Sequence, residues 1–148
     1  MSKPKVMVAV SNPDSVESLV KLACLIAQGM EAEVQALHVV VVPLLTPLEA
    51  SDDLLDHPGK ELLAQAQAAA RQCSARITTQ LLRAREVQEA IVGVAKEQGV
   101  DVLVMGHHRP DVHALAETLL GGIVRYVAHH APCRVIVQIP APQHGGRG

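Results

Sequence analysis

Short runs of branched apolar residues alternate along the chain with longer segments in which apolar residues recur every three or four positions. The short runs predict buried β-strands, and the longer segments predict amphipathic helices. Five strands are predicted, over residues 5–10, 33–42, 76–82, 100–105 and 133–139. Four helices are predicted between them, over residues 13–29, 59–74, 86–98 and 120–130.

Local signals mark the start of the first helix and the two longest connections. Asn12 is a predicted N-cap, and Pro13 suits the first helical position after it. Residues 43–58 and 107–118 are predicted to be irregular. Connections of this length in a small domain are commonly functional.

The strict alternation of strands and helices predicts one α/β domain over residues 1–148, with a disordered tail at residues 141–148. Strand–helix–strand connections of this kind are right-handed and give a parallel sheet. We expect five strands in the order 3-2-1-4-5, with helices on both faces. The order then reverses between strands one and four, and ligands of such sheets bind beyond the carboxyl ends of the strands at that point. The loops that meet there are residues 11–15 and 106–122.

Composition narrows the classes of function. The 148 residues are 49% hydrophobic, carry a net charge of −2 and include a single aromatic residue, Tyr126. Without a basic surface or aromatic platforms, nucleic-acid binding is not expected. No apolar run approaches the roughly 20 residues that span a bilayer, so membrane insertion is not expected. Three widely spaced cysteines, Cys24, Cys73 and Cys133, indicate reduced thiols and a cytoplasmic protein.

Four blocks of sequence resemble the universal stress protein family when taken together in this order and spacing. They are VMVAVSNPDS, ALHVV, EAIVGVAKEQGVDVLVMG and GGIVRYVAHHAPCRVIVQ. The resemblance covers nearly the whole chain. It implies the fold called adenine nucleotide alpha hydrolase-like, or HUP, and a regulatory role in the stress response.

Nucleotide-binding members of that family carry a glycine pattern after strand four: glycine, two residues, glycine, nine residues, then glycine followed by serine or threonine. Glycines let the backbone approach phosphates, and the next helix offers its free N–H groups. Gly106 matches the first position, but Arg109 replaces the second glycine. Eleven residues, 110–120, separate Arg109 from Gly121, two more than in the pattern, and Gly122 replaces the hydroxyl residue. Arg109 offers a guanidinium that can pair a phosphate.

The resemblance implies ATP or AMP as the ligand of this altered site. Ser11 and Asn12 occupy the turn where the family usually has an aspartate, and Val10, Val39 and Val40 would line the adenine side. The expected binding residues are Val10, Ser11, Asn12, Val39, Val40, Met105, Gly106, His108, Arg109, Gly121, Gly122 and Ile123.

Other polar clusters have structural interpretations. His107, His108 and His113 are expected to be loop histidines at the surface, and no metal site is predicted from them. The acidic segment 52–56 is expected to be a loop without the fixed geometry that a metal needs.

Single polar residues near the predicted strands are also interpreted as structural. His38 is expected to be a hydrogen-bonded core or sheet-edge residue, and Arg83 and Arg85 are expected to be solvated. No serine or cysteine has a local base motif, so no catalytic residues are predicted and an enzyme is not expected.

The last strand predicts a partner. Cys133–Ile139 is apolar and lies at a sheet edge, where exposed strands tend to pair. The resemblance implies a homodimer in which this strand meets its twin across a two-fold axis. The string GHHRP followed by LGG is similar to stress-protein domains linked to membrane transporters, which implies a transporter as a protein partner.

Three functions stay open at this point. The first is a sensor that binds an adenine nucleotide at the switch between strands one and four. The second is a dimeric stress protein that binds no nucleotide and acts through protein contacts. The third is a nucleotide hydrolase or a ligase-like enzyme.

Overall fold

The structure is a computed structural model that describes residues 3–49, 53–107 and 121–141. Its strands are β1 (Lys5–Ala9), β2 (Glu33–Val41), β3 (Ile77–Ala84), β4 (Val102–Gly106) and β5 (Arg134–Gln138). Its helices are α1 (Val16–Met30), α2 (Asp53–Gln72), α3 (Val87–Glu97) and α4 (Gly121–His130). Each of these elements overlaps a predicted one, so the predicted order of strands and helices is confirmed. His108, Arg109 and the tail after residue 141 lie outside the described residues.

The five strands form one parallel sheet in the order β3-β2-β1-β4-β5. β1 lies at the centre and pairs with β2 from Lys5↔Glu33 to Ala9↔Leu37, and with β4 up to Ala9↔Met105. The predicted fold class and strand order are therefore confirmed. All five carboxyl ends lie along one edge of the sheet, and the order reverses between β1 and β4.

Helices cover both faces of this sheet. α1 and α2 pack on one face against side chains that include Val6 and Val8, whereas α3 and α4 pack on the other against Met7 and Leu103. Val6, Met7 and Val8 are 0% exposed. β1 is thus buried on both sides, which explains its continuous apolar sequence. Each such side chain contributes roughly 1.5–3 kcal/mol by its burial.

The predicted start of the first helix is wrong. The Asp14 N–H donates to Oδ1 of Asn12 at 2.9 Å, and the Ser15 N–H donates to the Asn12 carbonyl at 3.0 Å. α1 begins only at Val16, and Ser15 at its N-cap position makes no side-chain capping bond. Pro13 lies in the turn ahead of the helix. The Asn12 side chain closes this turn and is not available to cap the helix, which is the competing use of such residues.

The prediction that residues 43–58 are irregular is wrong over residues 53–58, which belong to α2 and include Pro58. The early turns of α2 are tied to β3. Nε of Arg83 donates to Oδ1 of Asp56 at 3.0 Å, and Nη2 of Arg83 donates to Oδ2. This bidentate bond holds the pKa of the Asp56 carboxyl below its ordinary value. Asp56 lies in α2 and is buried, so the expectation that it belongs to an acidic loop is wrong.

The two arginines at the end of β3 are structural. The Arg83 side chain is only 25% exposed in its pair with Asp56, which corrects the expectation that it is solvated. Nη1 of Arg85 donates to the carbonyl of Val42 at 3.3 Å and to that of Pro43. Arg85 thereby fixes the chain where it leaves β2, because these carbonyls lie beyond the last paired residues of the strand.

Gly59 lies inside α2, where glycine is normally unfavourable. A Cβ at this position would lie 2.5 Å from Cδ2 of His38 and 2.9 Å from Cδ1 of Leu81. Both distances are shorter than real contacts. The helix can therefore approach β2 and β3 this closely only because residue 59 has no side chain.

Two further expectations bear on thiols and membranes. All three cysteines are free; Cys24 is buried, and burial raises the pKa of its thiol, whereas Cys73 is exposed. Across the described part of the chain, no helix combines the length and apolarity that crossing a bilayer requires.

The close contact at Gly59 predicts that Gly59→Ala lowers the free energy of unfolding by about 1–3 kcal/mol through overpacking, although alanine is the better helix former. Urea unfolding followed by circular dichroism measures this. Gly93→Ala in α3 is the matched control, because a Cβ there has no neighbour within 4 Å. We expect it to be neutral or stabilising by up to about 1 kcal/mol. Equal effects of the two substitutions would contradict the packing argument.

Candidate functional site

A cavity of about 650 Å³ opens at the carboxyl edge of the sheet, where β1 and β4 diverge. Its walls come from the exits of β1, β2, β4 and β5, the first turns of α1 and α4, and one side of α3. This volume lies in the range of sites for small molecules. The position is the switch point at which the topology predicts a ligand.

One wall of the cavity is apolar. Leu37 and Val39 of β2 face Ile91 of α3, and Met105 at the end of β4 completes the wall. All four side chains are at most 8% exposed. Leu37 and Val39 share this wall because alternate residues of a strand point to the same face. Such a surface suits a flat, largely apolar group.

The opposite side of the cavity is polar and begins where β1 ends. Ser11, Asn12 and Asp14 line it, and the turn they form leads into the N-terminus of α1. Helix N-termini carry unpaired N–H groups and a partial positive charge. The exit of β1 thus brings hydroxyl, amide and carboxylate groups to the mouth of the cavity.

Two glycines shape the entrance beside β4. A Cβ on Gly106 would lie 3.1 Å from Cδ1 of Leu19, so the glycine allows α1 to approach the end of β4. Gly121 has a positive φ of 66°, and a Cβ there would lie 3.1 Å from Cε1 of His107. Gly121 and Gly122 are the first described residues of α4, and both line the cavity.

The exit of β5 closes the remaining side. Nε2 of Gln138 donates to Oγ of Ser18 in α1 at 2.8 Å, and the Gln138 carbonyl accepts the N–H of His107 at 3.0 Å. Pro140 lines the cavity beyond them. The end of the edge strand is thereby joined to both α1 and the exit of β4.

Most of the binding residues expected from the sequence lie together. The cavity is lined by Val10, Ser11, Asn12, Val39, Met105, Gly106, Gly121, Gly122 and Ile123. Val40 lies outside the lining that the described residues form, because it points to the other face of β2 from Val39. His108 and Arg109 are not among the described residues.

Sequence reasoning missed several lining residues. Leu37 could have been found from the strand period, since it lies two residues before Val39. Ile91 belongs to the helix predicted over residues 86–98, but the helical period alone does not show that this residue reaches the site. His38 and Gln138 gave no signal of their own, because their places depend on which strands are neighbours.

No metal centre is found in the part of the chain that the structure describes: within residues 3–49, 53–107 and 121–141, no three His, Cys, Asp or Glu side chains converge. Among those same residues, the titratable side chains that line the cavity are Asp14, His38 and His107. The described lining therefore offers hydrogen-bond donors and acceptors and the first turn of α1.

Comparison with known proteins identifies the family of this chain. The model of the universal stress protein family matches residues 4–138. The chain belongs to the universal stress protein family. A universal stress protein of Methanothermobacter thermautotrophicus is 33% identical over 118 residues, which are 72% of this chain and 76% of that protein.

Solved universal stress proteins share the fold. One from Archaeoglobus fulgidus, in complex with dAMP, has a TM-score of 0.70 and 21% identity and covers 92% of this chain and 97% of its own. Another, in complex with cAMP, has a TM-score of 0.71 and 22% identity, with 95% and 100% covered. At these identities the likeness shows that the chain has the parallel α/β fold of this family.

The backbone at Gly121 predicts that Gly121→Ala lowers the free energy of unfolding by about 1–2 kcal/mol, because alanine is unfavourable at positive φ. The contact with His107 adds to this loss. Gly122→Ala is the control: a Cβ there has no neighbour within 4 Å and no positive φ is recorded. Urea unfolding of both variants measures the two losses of stability. An equal or larger loss in Gly122→Ala would refute the argument that the positive φ at residue 121 requires glycine.

Proposed function

We propose that this universal stress protein binds an adenine nucleotide in the cavity between β1 and β4 and acts as a regulatory sensor. The observation that carries the proposal is that an apolar wall and two helix N-termini meet in one cavity of about 650 Å³. A nucleotide needs both features, an apolar surface for its base and N–H groups for its phosphate. The complexes of related proteins with dAMP and cAMP support this choice of ligand.

In this proposal the base lies against the apolar wall and the phosphate lies near α4. Val10 and Val39 contact the adenine, together with Leu37 and Ile91. The phosphate accepts hydrogen bonds from the first N–H groups of α4, where Gly121 and Gly122 keep the backbone accessible. We expect Arg109 to add a positive charge that pairs with a phosphate of the ligand. Both ATP and AMP carry such a phosphate, so both are candidate ligands.

We infer a binding role rather than a catalytic one. The side chains of Ser11 and Ser15 at the cavity lie in the turn before α1, where the Ser15 hydroxyl donates to the Asn12 carbonyl at 3.2 Å. That bond serves the turn and not the activation of a nucleophile, which requires a neighbouring base. Binding is therefore expected to act by stabilising one form of the protein for a partner.

Isothermal titration with AMP, cAMP, ATP and adenosine tests the nucleotide site. A carboxylate at the proposed phosphate position should repel the ligand, so Gly122→Glu is expected to weaken AMP binding by about tenfold or more. Gly122→Gln, which has nearly the same shape without the charge, should weaken it much less. Adenosine has no phosphate and should bind both variants alike.

Two results would overturn the nucleotide proposal. One is the absence of binding heat and of thermal stabilisation with all four ligands. The other is equal AMP affinity in wild type and Gly122→Glu, which would show that the phosphate does not bind next to α4.

We further propose a homodimer formed by residues 133–139, because β5 is an edge strand with partly exposed side chains and Ile139 is 39% exposed. The Arg134 N–H donates to the Asp101 carbonyl of the same chain at 3.3 Å. Successive residues of a strand direct their N–H groups to opposite sides, so the N–H of Val137, three residues further on, points to the free edge of the sheet. This edge favours the second candidate function, in which the protein acts through contacts with other proteins. A membrane transporter is one candidate partner.

The dimer is tested by sedimentation equilibrium of Val137→Pro and Val137→Ala. Proline removes the outward N–H, so the proline variant should be monomeric while the alanine variant, which keeps the N–H, stays dimeric. Circular dichroism should be native for both. A monomeric wild type, or a proline variant that dimerises as wild type does, would refute pairing through β5.

A further inference from the structure

The ladder between β1 and β2 ends in an unusual way. Its last residue pair is Ala9↔Leu37, and the Val10 N–H still donates to the Leu37 carbonyl at 2.9 Å. The Val10 carbonyl lies 2.7 Å from Nδ1 of the His38 ring. Since a carbonyl oxygen can only accept, Nδ1 carries the proton of this bond.

This bond lies at the point where β1 leaves the sheet and enters the cavity wall. Val10 is followed by Ser11 and Asn12, which line the polar side of the cavity. A buried carbonyl at the end of a ladder needs a donor, and here a side chain supplies it. The His38 bond therefore fixes the direction in which the turn leaves β1.

The His38 ring has little freedom to lie elsewhere. Gly59 of α2 packs directly against it, since a Cβ at residue 59 would lie 2.5 Å from Cδ2 and 3.2 Å from Nε2 of the ring. The ring thus fills the space between α2 and the end of β1. Packing on one side and a hydrogen bond on the other hold the Nδ1 donor in place.

We infer that His38 is a positioning residue for the cavity: its Nδ1–H, supported by Gly59, holds the Val10–Asn12 segment, and with it the turn before α1, in the shape that receives the ligand. The effect on nucleotide affinity rests on the proposed function. The effect on the order of the turn does not, and it can be measured without any ligand.

Three substitutions of His38 separate the hydrogen bond from general packing. Asparagine places an amide N–H close to the position of Nδ1, glutamine places it nearer to that of Nε2, and leucine has no donor. Titration with AMP is expected to give an affinity within about threefold of wild type for His38→Asn, and a loss of at least about fivefold for His38→Gln and His38→Leu. Thermal unfolding of each variant reports whether it folds.

Hydrogen exchange of the Asp14 and Ser15 amides, whose bonds to Asn12 close the turn before α1, is the second readout and is measured without ligand. We expect faster exchange in His38→Gln and His38→Leu and near wild-type exchange in His38→Asn, because only asparagine keeps the bond to Val10. Amides in the middle of α3 serve as the internal reference. Gly59→Ala should also speed exchange in the turn, since it displaces the ring without removing the donor.

The outcomes distinguish this inference from the proposed function. If wild type binds no nucleotide, the proposed function fails and the exchange data alone decide the role of His38. Equal exchange in wild type and all three His38 variants would overturn the inference. So would equal loss of affinity and equal exchange among the three variants, because asparagine would then fail to rescue.

Discussion

The structure depends on the burial of β1 between two layers of helices. Its central side chains have no exposed surface, and its backbone pairs with β2 on one side and β4 on the other. The helices that lead into these two neighbours lie on opposite faces, with α1 before β2 on one side and α3 before β4 on the other. Between β1 and β4, where the described connections turn to opposite faces, none of these connections crosses the edge of the sheet. A crevice therefore forms at the carboxyl end of β1, and the residues that follow this strand must form one of its walls.

The fold could be predicted because its signals are local and repeated. The apolar runs of β1, β2 and β4 are too continuous for a half-exposed strand, and the helical periods between them leave only crossover connections. The exceptions have non-local causes. The first turns of α2 depend on Asp56 meeting Arg83 of β3, 27 residues later, and no local pattern announces that pair. The place of Gly59 within a helix has the same explanation, since it requires the His38 ring beneath it.

The candidate site was predictable to the extent that it follows from topology. Knowing that β1 and β4 are neighbours brings Ser11, Gly106 and Gly121 together, and the strand period then distinguishes Val39 from Val40. Topology does not predict which hydrogen bonds each polar side chain makes. Asn12 closes its own turn instead of capping α1, and His38 serves the backbone of the neighbouring strand. Both side chains satisfy backbone groups that only the folded chain leaves without partners.

The two edges of the sheet differ in character. β3 forms one edge and exposes Thr78 and Thr79, and its far end is occupied by the pair of Arg83 with Asp56. β5 forms the other edge with the sequence RVIVQ. An edge with exposed polar threonines is a poorer template for adding a further strand than an apolar one. A sheet built in this way can be extended from one side only, so association through β5 would stop at two copies and would not propagate into a fibre.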